Sequence, residues 1–262
     1  MHCQGKIKLL HLLVLVGIGI FLLALLIPMI YSTRVTSSNV TCAHHLRQIG
    51  QALLLYANEN TGDYPRTRYT PGLEVIPGFG TGTFAKDPFG QDGASENDIT
   101  SALFLLIRTQ DISAEVFICP STADERDSFG QSTALDRSNF TDIRLNLSYS
   151  VHNPYYNERA IAAGAKWNNK LGQNFALAAD MNPGTAGEGD DVTAATSVNP
   201  KPGNSNNHEK DGQNVLYGDG HTAFAFTPLC GINDDNIYTS QSGKVVDSAL
   251  DGDDSVLLPT DD

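Results

Sequence analysis

The sequence predicts an α+β protein in which one long N-terminal helix, half transmembrane and half amphipathic, packs on a mostly antiparallel β-sheet. Three observations predict this class. A long uncharged run lies near the N-terminus, and an apolar stripe with the helix period follows it. Short strand-like segments then end in a hairpin signal, without the regular βαβ alternation that is typical of a parallel sheet.

The uncharged run extends from Leu9 to Tyr31, interrupted by His11 near its start and Pro28 near its end. At 1.5 Å per residue it forms a helix of about 35 Å, enough to cross a hydrocarbon core of about 30 Å. A lone span in lipid must be helical, because its backbone groups have to be satisfied within the segment. We therefore predict a membrane anchor at 9–31, with the lipid bilayer as its partner.

The flanks of this run predict the orientation. Lys6 and Lys8 precede it, and no acidic residue comes before Glu59. The positive-inside tendency then keeps residues 1–8 in the cytoplasm and exports the rest, as in a single-pass protein of the inner (cytoplasmic) membrane with a periplasmic domain. A cleaved signal peptide is the alternative, but the run is longer than the usual apolar region and lacks a small-x-small cleavage site.

The charge of the rest of the chain argues against one class of partner, nucleic acids. Lys6, Lys8, Arg34 and Arg47 are the basic residues before Glu59, which is the first of 30 acidic residues in a chain with 17 basic ones. The predicted exported part is therefore strongly acidic. Such a surface repels phosphate backbones, so we expect no nucleic-acid partner.

Three of the four cysteines belong to the predicted exported part: Cys42, Cys119 and Cys230. In an oxidising compartment they form at most one internal disulfide and leave one thiol over, and the sequence leaves the pairing open. No Cys-x-x-Cys spacing occurs, which argues against a zinc ribbon and a thioredoxin-like pair.

The segment 32–65 is predicted as the amphipathic half of the helix. Apolar residues from Leu46 to Tyr56 recur at spacings of three and four, and Pro65 marks the stop. The beginning of the segment is rich in Ser, Thr and Val, which are weak helix formers, so the continuity of the helix from 32 to 41 is left open.

Residues 66–244 are predicted to form an exported α+β domain, followed by an acidic, frayed tail at 245–262. Asn97 or Asp98 is the expected N-cap of a short helix. Asp219-Gly220 is the strongest hairpin signal in the chain. The predicted elements are helices at 99–109 and 158–166, strands at 115–120, 145–150 and 174–179, and a hairpin at 213–226.

Candidate ligands for a metal ion surround the hairpin signal: His208, Asp219 and His221, with Asp211 and perhaps Asp180 beside them. Carboxylates suit Ca²⁺, and His with Asp suits another divalent ion. The structural alternative makes Asp219-Gly220 a turn and His208 a ring that bonds a backbone group there.

Catalytic and cofactor-binding residues are predicted to be absent from the chain. It has no Gly-x-Ser-x-Gly elbow, no glycine-rich phosphate loop that opens a helix and no His-Glu-x-x-His motif. The sequence therefore predicts no enzyme site and no cofactor beyond a Ca²⁺ ion at the candidate metal ligands.

Several stretches together resemble a family. They are CAHHLRQIGQALLLYANENTGDYP, EVFICPST, LSYSVHNPYY, ALAADMNPG and NSNNHEKDGQNVLYGDGHTAFAFTP. The pattern is similar to the pseudopilin-like proteins that have a prepilin-type N-terminal helix and a C-terminal domain named for a His, nine residues and Asp-Gly. Here ten residues separate His208 from Asp219, and Gly220 completes the motif.

The resemblance implies a pilin-like fold and a non-enzymatic role in a type II secretion or pilus-like assembly. Partners would be copies of the chain or other pseudopilins, packed through the N-terminal helix. Related pseudopilins hold calcium near the C-terminus. Gly5 corresponds to the processing site, but Lys-Ile-Lys-Leu follows it in place of the family's aromatic residue and later Glu. The alternative function is a membrane-tethered metal-dependent enzyme or carbohydrate-binding domain.

Overall fold

The computed structural model describes residues 9–73, 75 and 80–262. The chain divides into two compact units, the first ending at Ser38 and the second running from Asn39 to Asp262. We call the second one the C-terminal unit. The predicted processing site Gly5 and the flanking Lys6 and Lys8 lie outside the described residues. Among those described, no helix reaches the length and hydropathy required to cross a membrane.

The α+β class is confirmed, since helices accompany one antiparallel sheet. Four α-helices are present in the described chain, and the sheet has five strands in the order β4-β3-β2-β1-β5. The bounds are α1 Leu9–Glu59, α2 Ile99–Thr109, α3 Ile143–Asn146, α4 Glu158–Ala162, β1 Tyr149–His152, β2 Ala176–Asp180, β3 Gln213–Tyr217, β4 Thr222–Ala225 and β5 Leu257–Leu258.

Helix α1 continues without a break from Leu9 to Glu59, which answers the question that the Ser- and Thr-rich stretch left open. Within the C-terminal unit its apolar stripe is buried, including Leu46, Ile49 and Leu53. Gly50 lies against the sheet so closely that an added Cβ would come within 2.9 Å of Leu216 Cδ1. A larger residue at position 50 would therefore push this part of α1 away from β3.

The buried residues of the strands belong to two apolar cores. Val151, Ala178 and Leu216 join the core that contains the α1 stripe. Ala179 and Val215, which are register partners, join the core on the opposite face. The sheet is therefore covered on both sides, and all residues of β1, β2 and β3 are buried.

Several predicted elements agree with the structure. Asp98 is the N-cap of α2, and its side chain accepts a hydrogen bond from Ser101 N. The hairpin at 213–226 is β3 and β4, and the predicted strand at 174–179 overlaps β2. The predicted strand at 145–150 coincides with β1 only at Tyr149 and Ser150, because residues 145 and 146 belong to α3, and the predicted helix at 158–166 is the shorter α4.

Two local predictions were wrong. Residues 115–120 contain no strand, because Ser113 caps a 3₁₀ turn at Ala114–Phe117 instead. The tail at 245–262 is not frayed, because its apolar run contains β5, which pairs with β1, and Leu257 and Leu258 are fully buried.

Candidate functional site

Four buried side chains with metal-binding atoms converge inside the C-terminal unit. They are Cys42 on α1, Cys119 after the 3₁₀ turn, Asp180 at the end of β2 and His208. One ligand atom from each lies within 4.8 Å of the others, and no other such group occurs among the described residues. We call these four residues the buried cluster. It joins the helix, the sheet and two loops at one point.

Cys42 and Cys119 form a disulfide with a Cα–Cα distance of 5.4 Å. This settles the pairing that the sequence left open. Cys230 remains a free thiol, and burial raises its pKa to about 12. The disulfide therefore links α1 to the segment before β1, while Cys230 stays protonated at neutral pH.

His208 and Asp180 form a buried pair, with 3.0 Å between Nε2 and Oδ2. The side chains are 2% and 0% exposed. Asn214 donates to Asp180 Oδ2 from its backbone N–H at 2.6 Å and from its side-chain amide at 3.0 Å. Asn207 donates to Oδ1 at 3.3 Å. The carboxylate is therefore hydrogen-bonded on both oxygens, as a buried charge requires.

Local backbone structure positions both members of this pair. Asp180 ends β2, where it lies opposite Tyr149 in the register with β1. His208 ends the 3₁₀ segment Asn206–His208, which Ser205 caps at its start and the left-handed Glu209 ends. A tight turn just before β3 thus positions the His208 imidazole in the cluster.

The other contacts of His208 include a sulfur and a hydroxyl group. Nε2 lies 3.9 Å from Cys119 Sγ, and Nδ1 lies 3.3 Å from Ser121 Oγ. Nε2 therefore faces both Cys119 and Asp180. A nucleophile, histidine and carboxylate relay uses two different ring nitrogens for its two partners, so this geometry does not match one.

Two tyrosines border the cluster, and both have perturbed pKa values. Burial, together with the Asp180 charge, raises the pKa of Tyr149 and of Tyr238 well above the usual value. Tyr238 donates its hydroxyl hydrogen to the Asp180 backbone carbonyl at 2.7 Å. Both phenols therefore remain neutral hydrogen-bonding groups at physiological pH.

The structure does not bring His208, Asp219 and His221 together as one ligand group. Asp219 and His221 lie on the β3–β4 turn, each about half exposed, with 2.5 Å between Oδ1 and Nδ1. The His221 backbone N–H and then its ring lower the pKa of Asp219. Gly220 adopts the positive φ of 86° in this turn, as a hairpin signal requires. Asp211 is exposed.

The sequence indicates all four residues of the buried cluster as candidates, but it does not predict that they lie together. Cys42 and Cys119 were candidates for a disulfide, and Asp180 was a possible addition to a metal site. Asn207 and Asn214, which hold Asp180, were missed. Asn207 lies in a polar stretch that gives no signal, and the one signal that the sequence offers is Gln213-Asn214, two polar residues at the start of an apolar strand.

Comparisons with known proteins add no relative. No family model matches the chain, and neither a curated protein nor a solved structure matches it.

Proposed function

We propose that this protein is a membrane-anchored, pseudopilin-like structural component of a secretion or pilus-like assembly, without chemistry of its own. The observation that carries the proposal is the run of exposed apolar side chains on α1. Its large members are 51% to 64% exposed, and they are Leu12, Leu13, Val14, Leu15, Val16, Ile18, Ile20, Phe21, Leu22 and Leu23.

A helix that is apolar on all sides requires an apolar environment. Consecutive exposed positions such as Leu12 to Val16 point in every direction around the helix, so one partner groove cannot cover all of them. Lipid surrounds a helix evenly, so the exposed side chains from Leu12 to Leu23 support the bilayer as the environment of this run. The described part of the chain holds no helix with the length and hydropathy of a full span, and the extent of the anchor to residue 31 therefore rests on the sequence. The basic residues before the run support a cytoplasmic N-terminus and an exported C-terminal unit in the inner membrane.

The disulfide supports export of the C-terminal unit, because such bonds persist in oxidising compartments. The buried cluster supports a structural role, because Cys42, Cys119 and Asp180 are fully buried and cannot meet a substrate. In the proposed mechanism the anchors pack side by side in the bilayer, with copies of this chain or with other pseudopilins. Within the exported unit, the cluster holds the C-terminal part of α1 to the sheet.

The resemblance in sequence supports the same function. Its most specific stretch contains His208, Asp219 and Gly220, and in the structure these residues form the buried end and the turn of one β-hairpin region. A long helix lying on an antiparallel sheet is also the arrangement that the resemblance implies.

Membrane insertion is tested by placing two lysines in the apolar run of the full-length protein. Val16→Lys with Ile20→Lys is expected to move the protein out of the alkali-resistant membrane fraction, because each lysine costs about 3 kcal/mol at the centre of a span. Val198→Lys is the matched control, since Val198 is 93% exposed in the C-terminal unit. A wild-type protein that alkaline washing removes from membranes would refute the anchor.

Assembly is tested separately by crosslinking in intact membranes. In a Cys3→Ser/Cys230→Ser background, single cysteines at the consecutive positions 13, 14, 15 and 16 sample all sides of the helix, because successive residues are rotated by about 100°. We expect at least one position to yield dimers and larger species, whereas Val198→Cys yields none. If all four positions give only monomer at native abundance, the anchor does not pack against copies of itself, and a mixed assembly is tested by crosslinking to other membrane proteins.

A cleft in the C-terminal unit favours a second candidate, carbohydrate binding. Its volume is about 760 Å³. Aromatic residues and both signs of charge line it, and these residues include Tyr56, Tyr69, Trp167, Glu59 and Arg66. Such a combination of apolar and polar groups is typical of small-molecule sites. Cosedimentation with insoluble polysaccharides tests this function, with Tyr69→Ala and Tyr56→Ala expected to abolish it.

A further inference from the structure

The buried cluster holds the donor set of a zinc site once its disulfide is reduced. Two cysteine sulfurs, an imidazole nitrogen and a carboxylate oxygen are all zinc ligands, and four is the usual number. We propose that the reduced protein binds one zinc ion through Cys42, Cys119, Asp180 and His208. This site goes beyond the proposed scaffold role and differs from the set His208, Asp219 and His221 that the sequence suggests.

Two distances in the cluster lie close to those of a tetrahedral centre, one slightly longer and one slightly shorter. Zinc–sulfur bonds of about 2.3 Å and zinc–nitrogen bonds of about 2.0 Å separate neighbouring ligand atoms by about 3.3 to 3.8 Å. The structure has 3.9 Å between Cys119 Sγ and His208 Nε2, and 3.0 Å between Nε2 and Asp180 Oδ2. Opening the disulfide frees the two sulfurs to separate, so small side-chain rotations suffice.

The surrounding residues orient these ligands as second-layer groups do in metal sites. Nδ1 of His208 faces Ser121 Oγ, so with its proton on Nδ1 the ring presents the Nε2 lone pair to the cluster. The Asn214 side-chain amide lies 3.1 Å from Nε2, and zinc would take its place there. Asn214 and Asn207 hold the Asp180 carboxylate from two sides. Metal-binding carboxylates and histidines usually have such partners.

Charge provides a further argument. Two thiolates and one carboxylate would place three negative charges in a buried space, and zinc offsets two of them. In the described part of the chain, Asp180 is contacted by the imidazole of His208 and the amides of Asn207 and Asn214, and no lysine or arginine forms a salt bridge with it. A divalent cation is therefore the group that would make the deprotonated cluster stable.

The disulfide and the zinc site exclude each other. Two molecules of a small thiol supply the two electrons and two protons that convert the disulfide to two cysteine thiols, and the small thiols leave as their own disulfide. Zinc then displaces one proton from each cysteine thiol. The zinc form is accordingly the state of the chain before oxidation or after reduction.

The test uses the full-length chain in detergent, with Cys3→Ser and Cys230→Ser so that only the two cluster cysteines remain. Reduced and oxidised protein are titrated with Co²⁺, whose thiolate charge-transfer band reports cysteine ligation, and then with Zn²⁺ against a chromophoric chelator. We expect one equivalent in the reduced protein and none in the oxidised protein. Bound zinc should also protect both cysteines from alkylation.

Variants identify the ligands. His208→Gln and Asp180→Asn should each weaken zinc affinity by about 100-fold or more, since loss of a ligand exceeds the effect of its second-layer partners. His221→Gln and Asp219→Asn are matched controls and should bind as the background does. Far-UV circular dichroism checks the fold, and if reduction unfolds the chain, added zinc should restore it.

Three results would overturn the proposal. One is a reduced protein that gives no thiolate–cobalt band. Another is an unchanged zinc affinity in either His208→Gln or Asp180→Asn. The third is loss of binding in His221→Gln, which would place the metal at the exposed turn.

Discussion

His208 and His221 lie at the two ends of the His-to-Asp-Gly stretch, and each imidazole contacts a carboxylate. The surroundings of the two imidazole–carboxylate pairs differ. His208 lies 3.0 Å from Asp180, and His221 lies 2.5 Å from Asp219. The first pair is almost completely buried, whereas the side chains of the second pair are 48% and 47% exposed. Close contact between an imidazole and a carboxylate therefore does not by itself mark a functional centre.

The surroundings decide what each pair does. Asp180 accepts hydrogen bonds from Asn207 and Asn214 and lies beside a disulfide, so its removal would leave several buried donors unpaired. Asp219 accepts from the backbone and ring of His221 in the same short turn, where water can replace either contact. The comparison indicates that the buried pair at His208 stabilises the tertiary fold, whereas the exposed pair at His221 stabilises only the conformation of its own turn.

The largest effect is expected from the disulfide that adjoins the buried pair. Cys42 and Cys119 are 77 residues apart, and closing a loop of that length stabilises the folded state by about 4.5 kcal/mol. Cys42→Ser/Cys119→Ser should lower the free energy of unfolding by about that amount. Urea titration measures it through the buried Trp167, the single tryptophan of the chain. Cys230→Ser is the control, and an unfolding curve that reducing agent leaves unchanged would contradict the expectation.

The next effect comes from the two acid–imidazole pairs themselves. Asp180→Asn should cost about 3 to 5 kcal/mol, because it removes a buried carboxylate on which several buried donors converge. A double-mutant cycle with His208→Gln should give a clear coupling energy, and the same cycle on Asp219 and His221 should give none that can be resolved. Equal coupling energies in the two cycles would contradict the expectation that the buried pair stabilises the protein more than the exposed pair does.

The sequence predicts the hairpin well because local chemistry decides it. Asp219-Gly220 and the alternating residues around it need only near neighbours, and the N-cap Asp98 is local in the same sense. The buried cluster depends on side chains that α1, β2 and two loops bring together, with His208 and Asp180 separated by many residues. Spacing along the chain therefore suggested Asp219 and His221 as partners of His208, whereas the tertiary fold selects Asp180.

The wrong prediction at 115–120 has a similar cause. The apolar residues from Val116 to Ile118 suit a strand, but a strand also needs an unpaired neighbour in the sheet. The free side of β1 is occupied by β5, which comes from the C-terminal residues that the sequence presented as an acidic tail. One misread segment thus accounts for both errors.

A third histidine, His152, extends the comparison to the pH dependence of the free energy of unfolding. His152 is fully buried with neutral partners, the Tyr156 hydroxyl at 3.0 Å and the Val256 N–H at 3.3 Å. Burial lowers its pKa to about 3, so the unfolded chain binds the extra proton between about pH 6.5 and 3. The stability contributed by neutral His152 is complete above about pH 6.5 and is lost as the pH falls. The loss from pH 7 to pH 5 is about 2 kcal/mol.

Asp235 opposes this trend, because burial raises its pKa to about 7 and its contribution to stability is lost as the pH rises through that value. The measurement is therefore made on Asp235→Asn. Its free energy of unfolding should fall by about 2 kcal/mol from pH 7 to pH 5, and the additional change His152→Phe should remove most of the slope. A slope that survives His152→Phe would assign it to other groups.

The smallest effect is expected at the exposed end, from the backbone rather than from charge. Gly220 has a φ of 86°, and nothing lies within 4 Å of an added Cβ, so Gly220→Ala introduces strain without a clash. We expect a loss of about 1 kcal/mol in the free energy of unfolding, because a residue with a Cβ is disfavoured at positive φ.

Gly172→Ala is the matched control, since its added Cβ also meets nothing within 4 Å and its φ is not positive. If both variants have the wild-type stability, this turn tolerates side chains and the Asp-Gly signal reflects something other than backbone conformation. If Gly220→Ala costs as much as Asp180→Asn, the exposed end contributes to the fold as strongly as the buried one.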